Sequence, residues 1–211
     1  MNDYDLKDFV GKNFADELPD DDSKIMIHFH TMILELGSII AALEIIKIVN
    51  NEWHDRVVKS SIRYDITRNV TYESLFYRVV FGITKIFDIR EKNGIFKILS
   101  KLRHSTKDRS LLSILSTIQE GIDKEQKNID EIKLLRDKLL AHLDKEMVFS
   151  TERLGIGILY YYFEAIEIKS IYTACIELYN TLYGANQQQV ELPKREIILK
   201  RFFLEEITRI D

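Results

Sequence analysis

An arginine and a histidine six residues apart are the side chains in this sequence with the clearest capacity for chemistry. They are Arg136 and His142, in the segment LLRDKLLAHLDK. A guanidinium can hold a phosphate and stabilise the negative charge that builds up during phosphoryl transfer. An imidazole titrates near neutral pH, so it can move the proton of a ribose 2′-hydroxyl or of the leaving oxygen. Together the two groups suffice to cleave RNA without a metal, leaving a 2′,3′-cyclic phosphate.

The spacing of the pair is weak support on its own. The chain has 12 arginines and five histidines, so chance alone gives about one match of an arginine followed closely by a histidine. Six residues also place the two side chains about 120° apart on a straight helix. They converge if the helix ends or kinks there, or if two chains bring their motifs together. A structural role stays open, in which Arg136 pairs with Asp137 or Asp144 on a neighbouring chain. In that role His142 is a core histidine beside Leu135 and Leu139.

Other catalytic motifs are absent from the sequence. It has no GxGxxG or GxxxxGK[ST] phosphate loop, no HExxH and no serine nucleophile elbow. The single cysteine, Cys175, lies in the apolar run IYTACIELY and is expected to be a small buried hydrophobe. His28 and His30 are two residues apart and point about 200° from each other on a helix, so we expect no zinc site there. We therefore expect neither a metal nor a cofactor.

Charge is unevenly distributed along the chain. The net charge is −4, but residues 1–22 hold eight acids and two lysines, so residues 23–211 carry +2. The most basic stretch, which we call the basic strip, is 90–109, with seven Lys or Arg against two acids. Such a strip can meet RNA phosphates by charge alone, or it can be a solvated helix face. Its candidate phosphate contacts are Lys97, Lys101, Arg103 and Lys107.

Helical periodicity predicts an all-α bundle. Only eight glycines and two prolines are present, which argues against a sandwich or barrel. A long helix is expected to follow Ser23 as its N-cap, with an apolar stripe on one side. That stripe consists of Phe29, Met32, Leu36, Ile39, Leu43 and Ile46. Further helical patterns cover 53–89, 110–146, 154–183 and 194–209. The expected interruptions are a break near Asn69–Thr71, a turn at Gly94 and a soft point at Gly121.

The expected organisation is an acidic N-terminal tail (1–22), a helical bundle (23–189) and a C-terminal helical extension (190–211). The tyrosine-rich stretch 154–183 is expected to be core and dimer surface rather than a base-stacking platform. No apolar run reaches the roughly 18 residues that span a bilayer, and the acidic start lacks the features of a signal peptide. We therefore expect a cytoplasmic protein with no membrane contact.

The segment IKLLRDKLLAHLDK resembles the signature helix of the HEPN superfamily, specifically its AbiU-like branch of abortive-infection (phage-defence) proteins. In that signature an arginine and a polar residue precede Ala-His and a following acid, here Arg136, Asp137, Ala141, His142 and Asp144. Upstream, YRVVFGITKIFDIREKNGIFKILSKL is similar to the branch's aromatic- and Leu-rich helix, which ends in an acid, here Asp88. SLLSILSTI resembles the segment that follows. The similarity covers about residues 25–183.

The resemblance implies a four- to five-helix bundle with long antiparallel helices and a short C-terminal helix. It also implies a metal-independent endoribonuclease that dimerises so that two motifs line one cleft. Arg136 and His142 would be catalytic, and Asp137, Lys138 and Asp144 would support them. Some HEPN toxins carry a tyrosine two residues after the histidine, which a partner nucleotidyltransferase modifies. Here Asp144 takes that position, so the same mode of neutralisation is not expected.

Three functions remain open from the sequence. The leading interpretation is an RNase effector of a phage-defence or toxin–antitoxin system, with RNA as substrate, a homodimeric state and an antitoxin or other neighbouring-gene product as partner. The first alternative is a catalytically silent HEPN bundle that mediates dimerisation or partner binding. The second is a helical regulator that binds nucleic acid through the basic strip.

Overall fold

A computed structural model describes residues 21–57, 66–91, 94–137, 163, 165–192 and 194–203. Within these ranges the chain forms six α-helices and no strand, which confirms the all-α prediction. None of the described helices is both long and apolar enough to cross a membrane. The helices are α1 (Asp21–Val57), α2 (Ile66–Phe87), α3 (Ile95–Ser105), α4 (Arg109–Leu135), α5 (Lys169–Tyr183) and α6 (Arg195–Phe203).

The long helix α1 is the centre of the bundle. It packs against α2, α3, α5 and α6, and α4 closes the core by packing against α2 and α5. The predicted stripe of α1 is confirmed, because every one of its six residues is buried: Phe29, Met32, Leu36, Ile39, Leu43 and Ile46. The facing stripe of α2 is buried in the same cluster through Val79, Val80, Ile83, Ile86 and Phe87. The spacing of the apolar residues thus determines which helix faces meet.

The boundaries of the first two helices differ from the predictions. Helix α1 begins at Asp21, so Ser23 lies inside the helix and is not its N-cap. The predicted helix over 53–89 is wrong at its start, since 53–57 belong to α1 and α2 begins at Ile66. Helix α2 also continues through Asn69–Thr71 without a break. The asparagine and β-branched residues there have weak helix propensity, and packing of the apolar face of α2 against α1 overrides it.

The close approach of α4 and α5 explains why Gly121 does not interrupt α4. The helix runs through this residue without a break, so the predicted soft point is wrong. A Cβ at Gly121 would lie only 2.9 Å from Cγ1 of Ile171 in α5. The missing side chain therefore serves packing between two helices.

The helix predicted over 154–183 is not continuous, because residues 166–168 are not helical and α5 begins only at Lys169. The buried carboxylate of Glu125 in α4 accepts a hydrogen bond from the backbone N–H of Glu167 at 3.2 Å. The carboxylate of Glu167 in turn accepts one from the backbone N–H of Lys169 at 2.9 Å. Both bonds satisfy backbone donors at the break, which a regular helix would pair internally.

The described part of the tyrosine-rich stretch belongs to the core, as predicted. Tyr172 and Tyr179 are buried in α5, and Cys175 lies between them, fully buried. Helix α6 packs on α1 through a small apolar cluster of Val49, Ile198 and Phe202. Only Arg195–Phe203 of the helix predicted over 194–209 is described, and the remainder lies outside the described residues.

Candidate functional site

The motif arginine lies where α4 stops being a regular α-helix. Asp108 caps the start of α4 by accepting a hydrogen bond from the backbone N–H of Ser110 at 2.8 Å. The helix is then held to the core by Leu115, Ile118, Ile122, Ile129 and Ile132, all fully buried. After Leu135, the backbone at Arg136 and Asp137 turns π-helical. Such turns occur at functional sites and can bend helices. The residues that follow, up to His142, lie outside the described residues.

Arg136 is already paired with a carboxylate. Its Nε donates to Oδ1 of Asp137 at 2.7 Å, and its Nη2 donates to the same oxygen. The Arg136 side chain is 22% exposed and that of Asp137 is 50% exposed. A guanidinium has five N–H donors, and the two hydrogens on Nη1 take no part in this pair. One edge of Arg136 is therefore held by the protein, and the other edge has donors that a phosphate could accept from.

A second charged group lies beside the motif, in the loop between α2 and α3. Arg90 donates to the carboxylate of Asp88 through its backbone N–H at 2.9 Å, its Nε at 3.1 Å and its Nη2 at 2.8 Å. These hydrogen bonds, with the positive charges of Arg90 and of Lys133 in α4, lower the pKa of Asp88 to about 2. Asp88 and, more weakly, Asp137 raise the pKa of Arg90. The end of α4 and this loop thus form one electrostatic neighbourhood.

This neighbourhood could not be found by spacing along the chain. Asp88 was identified only as the end of a helix, and Arg90 and Lys133 were not candidate site residues. They come close to Asp137 because α2 packs against α4. Two features of the sequence point to this region: the helix that resembles the family ends at Asp88, and charged residues are concentrated around it.

The basic strip is partly organised by α3. One face of this helix is buried, through Ile95, Ile98, Leu99 and Leu102. Lys97, Lys101 and Arg103 are exposed on the rest of its surface, and Lys107 is exposed in the short connection to α4. Helix α3 is about 16 Å long. Gly94, just before α3, packs against the end of α2. A Cβ added at Gly94 would lie 3.1 Å from the carbonyl oxygens of Ile86 and Asp88, so the start of α3 is close to Asp88.

Three of the predicted site residues, Lys138, His142 and Asp144, lie outside the described residues. Among the residues that are described, no group of three or more His, Cys, Asp or Glu comes together as a metal site would require. Burial raises the pKa of the Cys175 thiol, so this sulfur stays protonated and is not a nucleophile.

A sequence model of a HEPN protein family, described as AbiU2, matches this chain. The match covers residues 37–190, nearly three quarters of the 211-residue chain. It includes α2 to α5, the Arg136–His142 segment and most of α1. Neither the curated proteins nor the solved structures contain a significant match to the chain.

Proposed function

The chain belongs to the AbiU2 family of HEPN proteins, helical modules of the abortive-infection type, and on this basis we propose that it is a metal-independent endoribonuclease. Its place would be a phage-defence or toxin–antitoxin system in the cytoplasm, where it cleaves host or phage RNA. The observation that carries the proposal is the position of Arg136, which stands at the π-helical turn with Nη1 outside its pair with Asp137. Asp137 in turn acts on Arg90, the first residue of the basic strip.

In the proposed reaction the imidazole of His142 takes the proton of the ribose 2′-hydroxyl or gives one to the departing 5′-oxygen, and solvent water serves as the partner in the other of these two proton transfers. The 2′-oxygen attacks the adjacent phosphorus, and the bond from phosphorus to the 5′-oxygen breaks. The products are a 2′,3′-cyclic phosphate and a free 5′-hydroxyl. Arg136 stabilises the negative charge on the phosphoryl oxygens as it builds up. Lys138, Asp137 and Asp144 are proposed as supporting residues around this pair.

We further propose a symmetric homodimer in which two motifs line one cleft. A dimer would let the arginine of one chain and the histidine of another act together. An antitoxin or other neighbouring-gene product is proposed as the inhibitor. Light scattering at micromolar concentration is expected to show a dimer, and a stable monomer would contradict this part of the proposal.

The test of the reaction is cleavage of RNA by purified protein in excess EDTA. Activity should persist, the products should carry a 2′,3′-cyclic phosphate, and a 2′-deoxy sugar at the cleavage position should block cutting. His142→Ala should reduce the rate at least ~10²-fold by removing proton transfer. Arg136→Ala should reduce it by about 10²–10³-fold, and Arg136→Lys should not restore it fully, because a point charge lacks the planar fork. Lys124→Ala, at an exposed position of α4 outside the basic strip, is the control.

The role of the basic strip is tested by reversing two of its charges. Lys101→Glu with Arg103→Glu should weaken RNA binding and reduce the salt slope by about one unit for each phosphate that the protein no longer neutralises. Lys124→Glu with Lys127→Glu, at exposed positions of α4, is the control with the same change in net charge. Equal effects of both double variants would mean that only overall charge matters.

A second function has one specific observation in its favour. Because Arg136 already pairs with Asp137, the motif could be a structural ion pair in a catalytically silent module that binds a partner. In that case Arg136→Ala and His142→Ala would destabilise the fold, and the wild-type protein would leave RNA intact. A melting temperature within a few degrees of wild type, together with abolished cleavage, would refute the silent module.

A further inference from the structure

Two aromatic rings of α2 face solvent. Tyr77 is 45% exposed and Phe81 is 52% exposed. They are one helical turn apart, their ring centroids are 6.2 Å apart, and their planes are inclined by only 23°. Other rings of this helix pack inward, since Phe87 is fully buried and Phe76 packs against Phe163. The exposed pair therefore forms a small stacked aromatic surface.

Two cationic residues, Lys85 and Arg78, neighbour this surface, and Arg78 is paired with Glu35. Lys85 is exposed one turn after Phe81. Arg78, next to Tyr77, donates to the carboxylate of Glu35 at 2.7 Å and to the hydroxyl of Ser38 at 3.1 Å, both in α1. These contacts connect α2 to α1 next to Tyr77.

The helix that carries the two rings ends beside the start of α3, the helix of the basic strip. Gly94, which precedes α3, lies against the carbonyl oxygens of Ile86 and Asp88 at the end of α2. The exposed lysines of α3 begin three residues later, at Lys97. An RNA strand that crosses the rings of α2 toward its C-terminal end would therefore approach the phosphate contacts predicted for the strip.

We propose that Tyr77 and Phe81 form a base-stacking surface for single-stranded RNA, with Lys85 contacting a phosphate. Nucleic-acid bases stack on aromatic side chains whatever their identity, and nearby cations track the backbone. Unpaired RNA is the ligand, because the base faces of a duplex are already covered. This inference rests on the proposed ribonuclease function and extends it by naming the form of the substrate.

The test compares two ligands that differ only in their bases. A short single-stranded RNA and an abasic ribose-phosphate chain of equal length are titrated into protein carrying His142→Ala, which prevents cleavage. Tyr77→Ala and Phe81→Ala should each weaken binding of the RNA by roughly tenfold, with no effect on the abasic chain. The matched control is Leu34→Ala, at a leucine of α1 that is also 52% exposed. It should leave the affinity for the RNA and for the abasic chain unchanged.

Two further variants separate stacking from apolar bulk and from folding. Phe81→Leu keeps an apolar side chain at the position and should weaken RNA binding as alanine does. Phe81→Trp should keep the affinity, and its fluorescence should be quenched by the RNA and not by the abasic chain. The wild-type protein, with Trp53 as its one tryptophan, provides the background signal.

Four results would overturn the inference. Unchanged RNA affinity in the alanine variants would remove the stacking role, as would equal weakening for both ligands. Conversion of a dimer to a monomer with RNA affinity retained would show that the rings join two copies of the chain. Base-dependent binding by a wild-type protein that cleaves no RNA would refute the nuclease while leaving this surface in place. A wild-type protein that binds no RNA would refute both.

Discussion

The Asp137 carboxylate pairs with the guanidinium of Arg136 that the proposed reaction needs. Removing the negative charge of Asp137 should therefore tighten RNA binding. In Asp137→Asn the side chain keeps its shape and loses its charge. A phosphate on the free edge of Arg136 would lie within several ångströms of the Asp137 carboxylate. Two unit charges 4 Å apart repel by about 1 kcal/mol in water and about 4 kcal/mol in a partly buried setting.

The exposure of the pair indicates which limit applies. Because Asp137 is 50% exposed, the lower part of this range is appropriate, about 1–2 kcal/mol, or roughly a 5- to 30-fold gain in affinity. Loss of the ion pair with Arg136 should cost at most about 1 kcal/mol of stability. The assay is anisotropy with a labelled RNA in the His142→Ala background, repeated over a salt series.

Asp130→Asn is the matched control for this prediction. Asp130 lies on the same helix and pairs with Lys133 at 3.3 Å, so the control makes the same change in net charge and also breaks an ion pair. Equal tightening by both variants would mean that only long-range charge matters. Weaker binding in Asp137→Asn would refute the reasoning, because it would mean that Asp137 holds Arg136 in the orientation that receives RNA.

Three further outcomes concern the fold that carries the site. Gly82→Ala should lower the free energy of unfolding by about 1 kcal/mol, as measured by thermal melting. Alanine favours helices, but its Cβ would lie 2.6 Å from Cδ1 of the fully buried Ile39. Glu125→Ala should cost about 1–3 kcal/mol in urea unfolding by removing the acceptor for the Glu167 N–H, whereas Glu125→Gln, which keeps an acceptor oxygen, should cost less. The lowered pKa of Asp88, about 2, stabilises the fold above pH 4, and this contribution disappears as pH falls from about 4 to about 2. Asp88→Asn should therefore be less stable than wild type by up to about 1 kcal/mol at pH 7, and the two should converge near pH 2.

Local periodicity was enough to predict the helical bundle and its core. The stripe of α1 that begins at Phe29 is buried as expected, since the residues that face a core recur with the helical period. The errors fell where contacts between distant residues decide the outcome. Gly121 continues its helix because Ile171 packs on it, and residues 166–168 interrupt one because Glu125 captures a backbone N–H. Neither partner can be identified from nearby sequence.

In the candidate site too, the local sequence was informative and the contacts between distant residues were not predictable. The sequence identifies Arg136 as the motif residue and leaves open a pairing with Asp137 or Asp144 on a neighbouring chain. In the structure Arg136 pairs with Asp137 of its own chain. The proximity of Asp88 and Arg90 to the end of α4 was not predicted. It depends on how α2 lies against α4, and the charges responsible are 40 or more residues from the motif along the chain.

The two kinds of cation in this protein suit two different tasks. The lysines of α3 are exposed on a helix surface, where their attraction for RNA acts over roughly 10 Å and is weakened by salt. Such groups can collect a polyanion but cannot fix one phosphate in one geometry. Arg136 is mostly buried, and its planar fork is oriented by Asp137 on one edge. An oriented guanidinium can favour the more highly charged transition state over the bound substrate, because its geometry is set before the charge develops. The acid that competes with RNA for Arg136 would then also keep it in position for catalysis.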